Sequence, residues 1–548
     1  MACLCMMVNR LNCASSILRI VCPIQPAVSN YQRAMVARKA SEQRRKKFLR
    51  QLYQYGRMNW SWLLAAALLV RFGYKIIEIS SSFPNLFQGS DLLASSWPLF
   101  ILPFAVLLIL VPILSLTTRD DKRRKQLLTQ IFEAVRVNAP GLLLGLLFFI
   151  IYFVLAAVFN RTDFNNDDVF FQADSTTWKL RLADPTGHLM SMRAVHPLAI
   201  LFLRPLTFGL SLISGVDLFH SLLFLLAIIG GLSVFLVWIF IRDAVGSTNY
   251  SFLFASIFGI STAQLVFNTI VETYVFSSLL LILFFVLLQK KAGPAWLILT
   301  GIGIFGITIS NLVQVLIGLF LTDFKIKRTL LLALTVVAAA AALNLLNKAI
   351  YPPSGIFFFP ADYGAESRFF FRPSKAYGWN QRASLVGSDV LLFSVVAPQP
   401  FMQIGHQEPR GRFPKFNFMQ GTRLSQYTGS GRIAVWIWLG ILGAGAVSMG
   451  RFLRHERLSA LNRFALAFLF CLAFNFSFHL LYGSEPFLYA ADWSYALIFL
   501  TALSLRSFAE NKWLLAAMVA LFAILTLNNL SFLYSLMHGL SPYIPSNL

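Results

Sequence analysis

Runs of about 18 to 22 apolar residues recur along this chain, each the length that crosses the hydrocarbon core of a bilayer as a helix. Hydrocarbon offers no partner to backbone N–H and C=O groups, so a segment buried there must satisfy its own, and a helix does this within one segment. The apolar stretches lie near 60–78, 98–116, 141–160, 219–241, 249–267, 270–289, 294–309, 312–322, 329–350, 433–449, 464–482, 490–505 and 513–531. They predict an all-α polytopic membrane protein with about 13 transmembrane helices. Hydrophobic residues make up 57% of the chain and charged residues 13%, which excludes a water-soluble globule. The seventh and eighth stretches are short, and Ser310 and Asn311 between them predict a broken pair. Residues 197–215 are apolar enough to span, yet a full crossing there would reverse every later loop. They are expected to lie as a re-entrant or interfacial helix, broken at Arg204 and Pro205.

Basic residues orient the spans. Short loops carry Arg119 with Lys122 to Lys125, Arg242, Lys290 with Lys291, Lys325 to Arg328, Arg451 to Arg457, and Arg506 with Lys512. All fall on one face if the spans alternate, and the positive-inside bias makes that face cytosolic. The net charge of +23 is therefore read as membrane-flanking charge, and no module able to read bases is present, so nucleic acid is not an expected partner. The organisation that follows is a basic cytosolic tail at 1–58, two spans with a basic loop at 59–140, a core at 141–350 containing a first outer loop at 161–218, a second outer loop at 351–432, and C-terminal helices at 433–548. An integral, multi-pass protein with a cytosolic N-terminus is expected, in the plasma membrane if bacterial. Cys3, Cys5, Cys13, Cys22 and Cys471 form no metal-ligand or disulfide pattern.

Against this scaffold the polar segments stand out. Asn160 to Asp217 holds six of the 23 acidic residues, with Asp167, Asp168 and Asp174 among aromatics. They are either a solvated turn or a carboxylate base held at the edge of a dry cavity. Glu272 lies in the tight turn of VFNTIVETYVF, where it either complements a helix N-terminus or joins Asp174 in holding a proton or a hard divalent cation such as magnesium or manganese. His196 and Arg204 follow in MRAVHPLAILFLRPL, and Glu485 and Tyr489 sit in a third acidic turn, GSEPFLYAADW. The second long loop mixes phenylalanines with Arg368, Arg372 and Arg382; guanidinium groups suit phosphate oxygens, and aromatics suit an isoprenoid tail or a sugar face, although plain membrane anchoring reads equally well. No GxSxG, Walker, HExxH or Rossmann pattern competes.

The order of these parts, a long aspartate-bearing loop ending in an interfacial helix, an acidic hairpin turn, a broken helix pair and a second long loop, resembles the GT-C superfamily of membrane glycosyltransferases over about 141–530. VHPLAILFL is similar to the HPP-type start of the interfacial helix in family 39-like members, and STAQLVFNTIVETYVFSSLLLIL resembles their segment that ends in an aromatic and returns into the membrane. The resemblance implies a polyprenyl-phosphate-linked sugar as donor, the lipid bilayer as setting, and transfer to an acceptor on the non-cytosolic face. It maps the family's first-loop aspartate onto Asp174, with Asp167 and Asp168 as alternatives, and its second acidic position onto Glu272. Two departures are plain: no adjacent Asp-Glu pair occurs in the first loop, and the family's HPP reads His196, Pro197, Leu198. The absence of a WWD motif argues against peptide N-glycosylation. The expected function is an inverting glycosyltransferase; a membrane transporter or lipid flippase is the alternative.

Overall fold

Leucine, isoleucine, phenylalanine and alanine over one to four dozen positions leave helix as the satisfied backbone form, and helices dominate the computed structural model. It describes residues 60–88, 92–101, 121–161, 166–190, 192–375, 377–407, 411–418, 427–455 and 459–544. The basic tail 1–58 and most of the expected second span, 102–116, lie outside the described residues. In chain order the helices are α1 (Trp60–Ser81), α2 (Leu92–Ile101), α3 (Asp121–Phe159), α4 (Ser175–Ala183), α5 (Ala199–Ser214), α6 (Leu218–Val245), α7 (Thr248–Ile260), α8 (Thr262–Phe267), α9 (Tyr274–Gln289), α10 (Pro294–Ile307), α11 (Leu312–Asp323), α12 (Ile326–Ile350), α13 (Trp379–Ser388), α14 (Gly429–His455), α15 (Ala460–Leu481), α16 (Ala491–Ser504) and α17 (Lys512–Leu540). Among the described residues six are long and apolar enough to cross a membrane: α3, α6, α12, α14, α15 and α17. This fits an all-α integral membrane protein.

Local chemistry sets the helix ends. Asp217 caps α6 by accepting from the backbone N–H groups of Phe219 and His220, both at 3.0 Å, and Gly246 closes the same helix in the left-handed region at φ 80°. Asn511 caps α17 in the same way. Two apolar stretches are interrupted. Residues 249–267 divide at Ser261 (φ −60°, ψ 151°) into α7 and α8. The stretch after Gly293 leaves the helix at Thr308 (φ −150°) and passes through a single 3-10 turn, Ile309–Asn311, into α11.

Two sequence expectations need correction. Helix α5 is continuous through Pro205, not broken there. The proline removes one N–H, but the Arg204 guanidinium folds back onto the carbonyls of Arg181 (2.6 Å) and Pro185 (3.0 Å) and ties the helix to the loop before it. The second long loop is also not wholly helical or irregular. Strands β1 (Phe401–Gln407) and β2 (Gly411–Asn417) pair antiparallel, with Phe401 opposite Asn417. Phe413 and Phe416 lie on opposite faces of β2, and both are buried.

Helices α3 and α6 approach closely through small residues. A Cβ on Gly145 would meet Gly231 O at 2.9 Å, and one on Gly231 would meet Gly145 O at 2.6 Å. In lipid such contact replaces the hydrophobic effect as the source of helix association. Gly231→Val forces the pair apart and is expected to lower unfolding stability by about 1–3 kcal/mol. Gly440→Val, where nothing lies within 4 Å, should be neutral; thermal melting of both variants in one detergent decides this.

Candidate active site

The end of α3 is pinned to the acidic hairpin turn. Asn160 Nδ2 donates to Thr269 O (2.5 Å), and its Oδ1 accepts from Val271 N (3.3 Å). The first long loop therefore begins beside Glu272. It then folds tightly. Asp168, Phe171 and Gln172 all take positive φ, at 68°, 52° and 60°. Non-glycine residues there cost about 1–3 kcal/mol each, and such strain persists only where surroundings over-determine it. Here β2 supplies that: Phe171 N donates to Phe416 O and Phe416 N to Val169 O, each at 2.8 Å, while Phe171 lodges between the rings of Phe418 and Phe487.

The three aspartates of this loop are sorted by their partners. Asp167 accepts from Thr177 N (3.0 Å) and Thr177 Oγ1 (2.6 Å), bridging the first turn of α4. Asp168 pairs with Lys415 of β2 at 3.0 Å. Asp174 holds the N-cap position of α4, yet its carboxylate caps nothing and has no hydrogen-bond partner among the described residues. Burial raises its pKa, the Asp167 charge raises it further, and Arg193 and Arg181 pull part of that back.

Glu272 comes to the same place from the hairpin turn. Its Oε1 accepts from Asp174 N at 3.0 Å and its Oε2 from Thr273 N at 2.7 Å, and the side chain is buried. Burial and the neighbouring Asp174 push its carboxyl up to about 8, against those two N–H bonds. Glu272 thus positions the backbone of Asp174. The two residues meet as expected: both Glu272 oxygens accept N–H donors, one of them from Asp174 itself, and positive charge beside Asp174 comes from Arg193 and Arg181. Among the described residues no group of three or more His, Cys, Asp or Glu side chains comes together to hold a metal.

Arg193, three residues before His196, is the cation of the site. Its Nε donates to Glu366 Oε1 (2.8 Å), its Nη2 to Glu366 Oε2 and to Tyr482 Oη (3.0 Å), and it lies over the Phe369 ring. Burial works against its charge, but Glu366 outweighs burial and holds the pKa above the ordinary value. Its Nη1 makes no hydrogen bond among the described residues. His196 Nδ1 faces Ile307 O at 2.7 Å, so the proton sits on Nδ1 and Nε2 is left as an acceptor. Burial, then the charge of Arg193, lowers the imidazole to about 4, which keeps it neutral.

Arg193 and His196 share the wall of a cavity of about 730 Å³ with Tyr274, Phe305, Phe357, Phe478 and Tyr489. Its other wall is the break between α10 and α11. Tyr274 and Tyr489 pack edge to face at 5.0 Å and connect the cavity to the Asp174–Glu272 pair.

The remaining candidates fall elsewhere. Arg204 holds the carbonyls named above. Arg368 and Arg372 are exposed on the second loop. Glu485 forms a separate buried group with Asp389 and Arg382, in which burial raises Glu485 to about 8 and Asp389 well above its ordinary value. Carboxyls raised on folding give stability that is fully present below the unfolded value, about 4.3, and that erodes as pH rises until it is gone above the folded one. The melting temperature in detergent should accordingly fall from about pH 5 toward pH 8 and then level off. Glu485→Gln should flatten that decline; an unchanged slope refutes the assignment. Sequence reasoning passed over Arg193, Glu366 and Tyr482. One signal was present, since Glu366 is among only four acidic residues in a loop of nine Arg and Lys.

Compared with family models, curated proteins and solved structures, the chain matches none of them.

Proposed function

We propose that this protein is an inverting membrane glycosyltransferase of the GT-C kind, taking a sugar from a polyprenyl-phosphate donor to an acceptor on the non-cytosolic face. The observation that carries the reading is Asp174. It is a carboxylate with a raised pKa and no hydrogen-bond partner among the described residues, held by Glu272 within the field of Arg193, and Arg193 in turn lines an aromatic cavity. A general base needs an unengaged acceptor beside a dry pocket. A departing lipid phosphate needs fixed positive charge, and the unbonded Nη1 of Arg193 supplies it. In one direct displacement the acceptor hydroxyl or amine loses its proton to Asp174 and attacks the anomeric carbon, while the bond from that carbon to the phosphate oxygen breaks and its electron pair leaves with the phosphate. One displacement inverts the centre. His196 stays neutral and accepts a hydrogen bond through Nε2.

The reading includes a multi-pass topology of about 13 spans with a cytosolic N-terminus, in which the shorter helices α9, α10 and α11 cross or re-enter alongside the longer six. Its support is the one-sided distribution of basic loops. Cysteine at exposed Thr186 should react with an impermeant maleimide from the non-cytosolic side and cysteine at exposed Lys325 should not. Labelling of both from the same side of sealed vesicles refutes the topology. For function, purified protein is given radiolabelled polyprenyl-phosphate sugars and candidate acceptors. Transfer supports the reading. Movement of a lipid or solute across the bilayer without transfer would replace it with a transporter.

A further inference from the structure

Two polar atoms of residues that line the same cavity stand without partners among the described residues. Thr308 leaves the helical conformation, so its hydroxyl is not returned to a carbonyl four residues back, and its Oγ1 is buried with no hydrogen bond. Asp492, in the first turn of α16, is 3% exposed; Asn311 and Ser277 hydrogen-bond to its carboxyl group, and its Oδ1 is left without a partner among the described residues. Asn475 of α15 gives its Nδ2 to Cys471 O (2.8 Å), which leaves its Oδ1 to accept from a ligand. All three residues line the cavity. A buried polar atom without a partner is costly, and a carboxylate oxygen more so, unless a ligand completes it.

The unfilled atoms share one sign. Carboxylate and amide oxygens accept, and a hydroxyl accepts as readily as it donates, so the ligand must bring hydrogen-bond donors and no negative charge. Arg193, a donor suited to phosphate, lines the same cavity and has the reverse character. The aromatic side chains of Tyr489 and Phe478 add apolar lining. A volume of about 730 Å³ is that of a small-ligand pocket, wide enough for a head group and the first part of a chain. From this polarity we infer that Asp492, Thr308 and Asn475 bind the hydroxyl groups of an uncharged sugar and set which sugar is accepted, with the phosphate held at Arg193. The inference rests on the glycosyltransferase reading and adds to it the group recognised and the residues that recognise it.

The test measures binding to the full-length protein in nanodiscs. The probes are farnesyl phosphate alone and farnesyl phosphate joined to glucose, mannose, galactose or glucosamine. At least one neutral hexose conjugate should bind about tenfold or more tighter than farnesyl phosphate. Asp492→Asn should remove about ten- to hundredfold of affinity for that conjugate, the size of a charge-assisted hydrogen bond, and leave farnesyl phosphate unchanged. Thr308→Val should remove several-fold, and it decides the matter if the Asp492 variant does not fold. A hexose advantage that survives both substitutions overturns the inference and leaves the lipid-phosphate reading standing, as does farnesyl phosphate binding without any hexose advantage in the wild type. Preference for glucosamine over the hexoses overturns the uncharged sugar. Failure of the wild type to bind any probe overturns the donor reading itself, and this inference with it.

Discussion

Asp174→Asn lowers sugar transfer by about two to four powers of ten while donor affinity stays within a few-fold. The substitution keeps the shape of the side chain and takes away its capacity to receive a proton. No capping bond is lost, because the carboxylate makes none. The neighbouring aspartates should respond differently. Asp167→Asn retains an acceptor oxygen for Thr177, and Asp168 forms a partly exposed pair with Lys415, of the kind worth about 0–1 kcal/mol, so each should cost less than about tenfold. The acidic limb of the pH–rate profile should lie above the ordinary aspartate range, since the base must be deprotonated and its pKa is raised. Asp167→Asn removes one of the charges that raise it and should move that limb to lower pH. Transfer that survives in Asp174→Asn and collapses in Asp167→Asn would reassign the base.

Arg382→Met destabilises the protein by about 3–5 kcal/mol, enough that little monodisperse material should be recovered in detergent. The side chain is 1% exposed and binds four backbone carbonyls of one turn: Tyr482 (3.1 Å), Ser484 (3.2 Å), His479 and Gly483. Methionine fills much of the volume but leaves those acceptors buried and unpaired. It also removes the cation that offsets Asp389 and Glu485. Arg382→Lys should not rescue, because one ammonium cannot reach a fan of carbonyls that the planar guanidinium spans. Adding Asp389→Asn and Glu485→Gln to Arg382→Met should recover part of the loss. A melting temperature for Arg382→Met equal to that of the wild type removes the clamp from the account.

This second expectation shows where sequence reading stops. Arg382 and Arg372 are alike in sequence, both arginines in an aromatic, basic loop, and both suit phosphate on chemistry alone. One is buried against carbonyls a hundred residues away and the other is exposed, a difference set by contacts that neither position encodes locally. The same holds for the three aspartates. Composition marks 160–217 as the acidic segment, but a capping partner for Asp167, a lysine for Asp168 and nothing for Asp174 appear only when α4, β2 and the 272 turn come together.

What the chain determines by itself is the set of helices. Hydrocarbon-length apolar runs must form them wherever they settle, since backbone polar groups in lipid have no other partners; most observed helices overlap the apolar stretches, although α3 begins about 20 residues before its stretch, α17 runs about nine beyond its own, and Ser261 divides another. The break at Ser310 and Asn311 and the acidic turn at Glu272 were legible for the same reason, because polar residues there interrupt a strong periodic signal. The tertiary structure alone decided the β-hairpin, whose strands are short and carry a proline, the continuity of α5 through Pro205, and the assembly of Arg193 with Glu366 across 173 residues. The hairpin rests on backbone pairing, α5 on a guanidinium held by carbonyls, and Arg193 on a carboxylate far along the chain, and none of these leaves a periodic trace in the sequence.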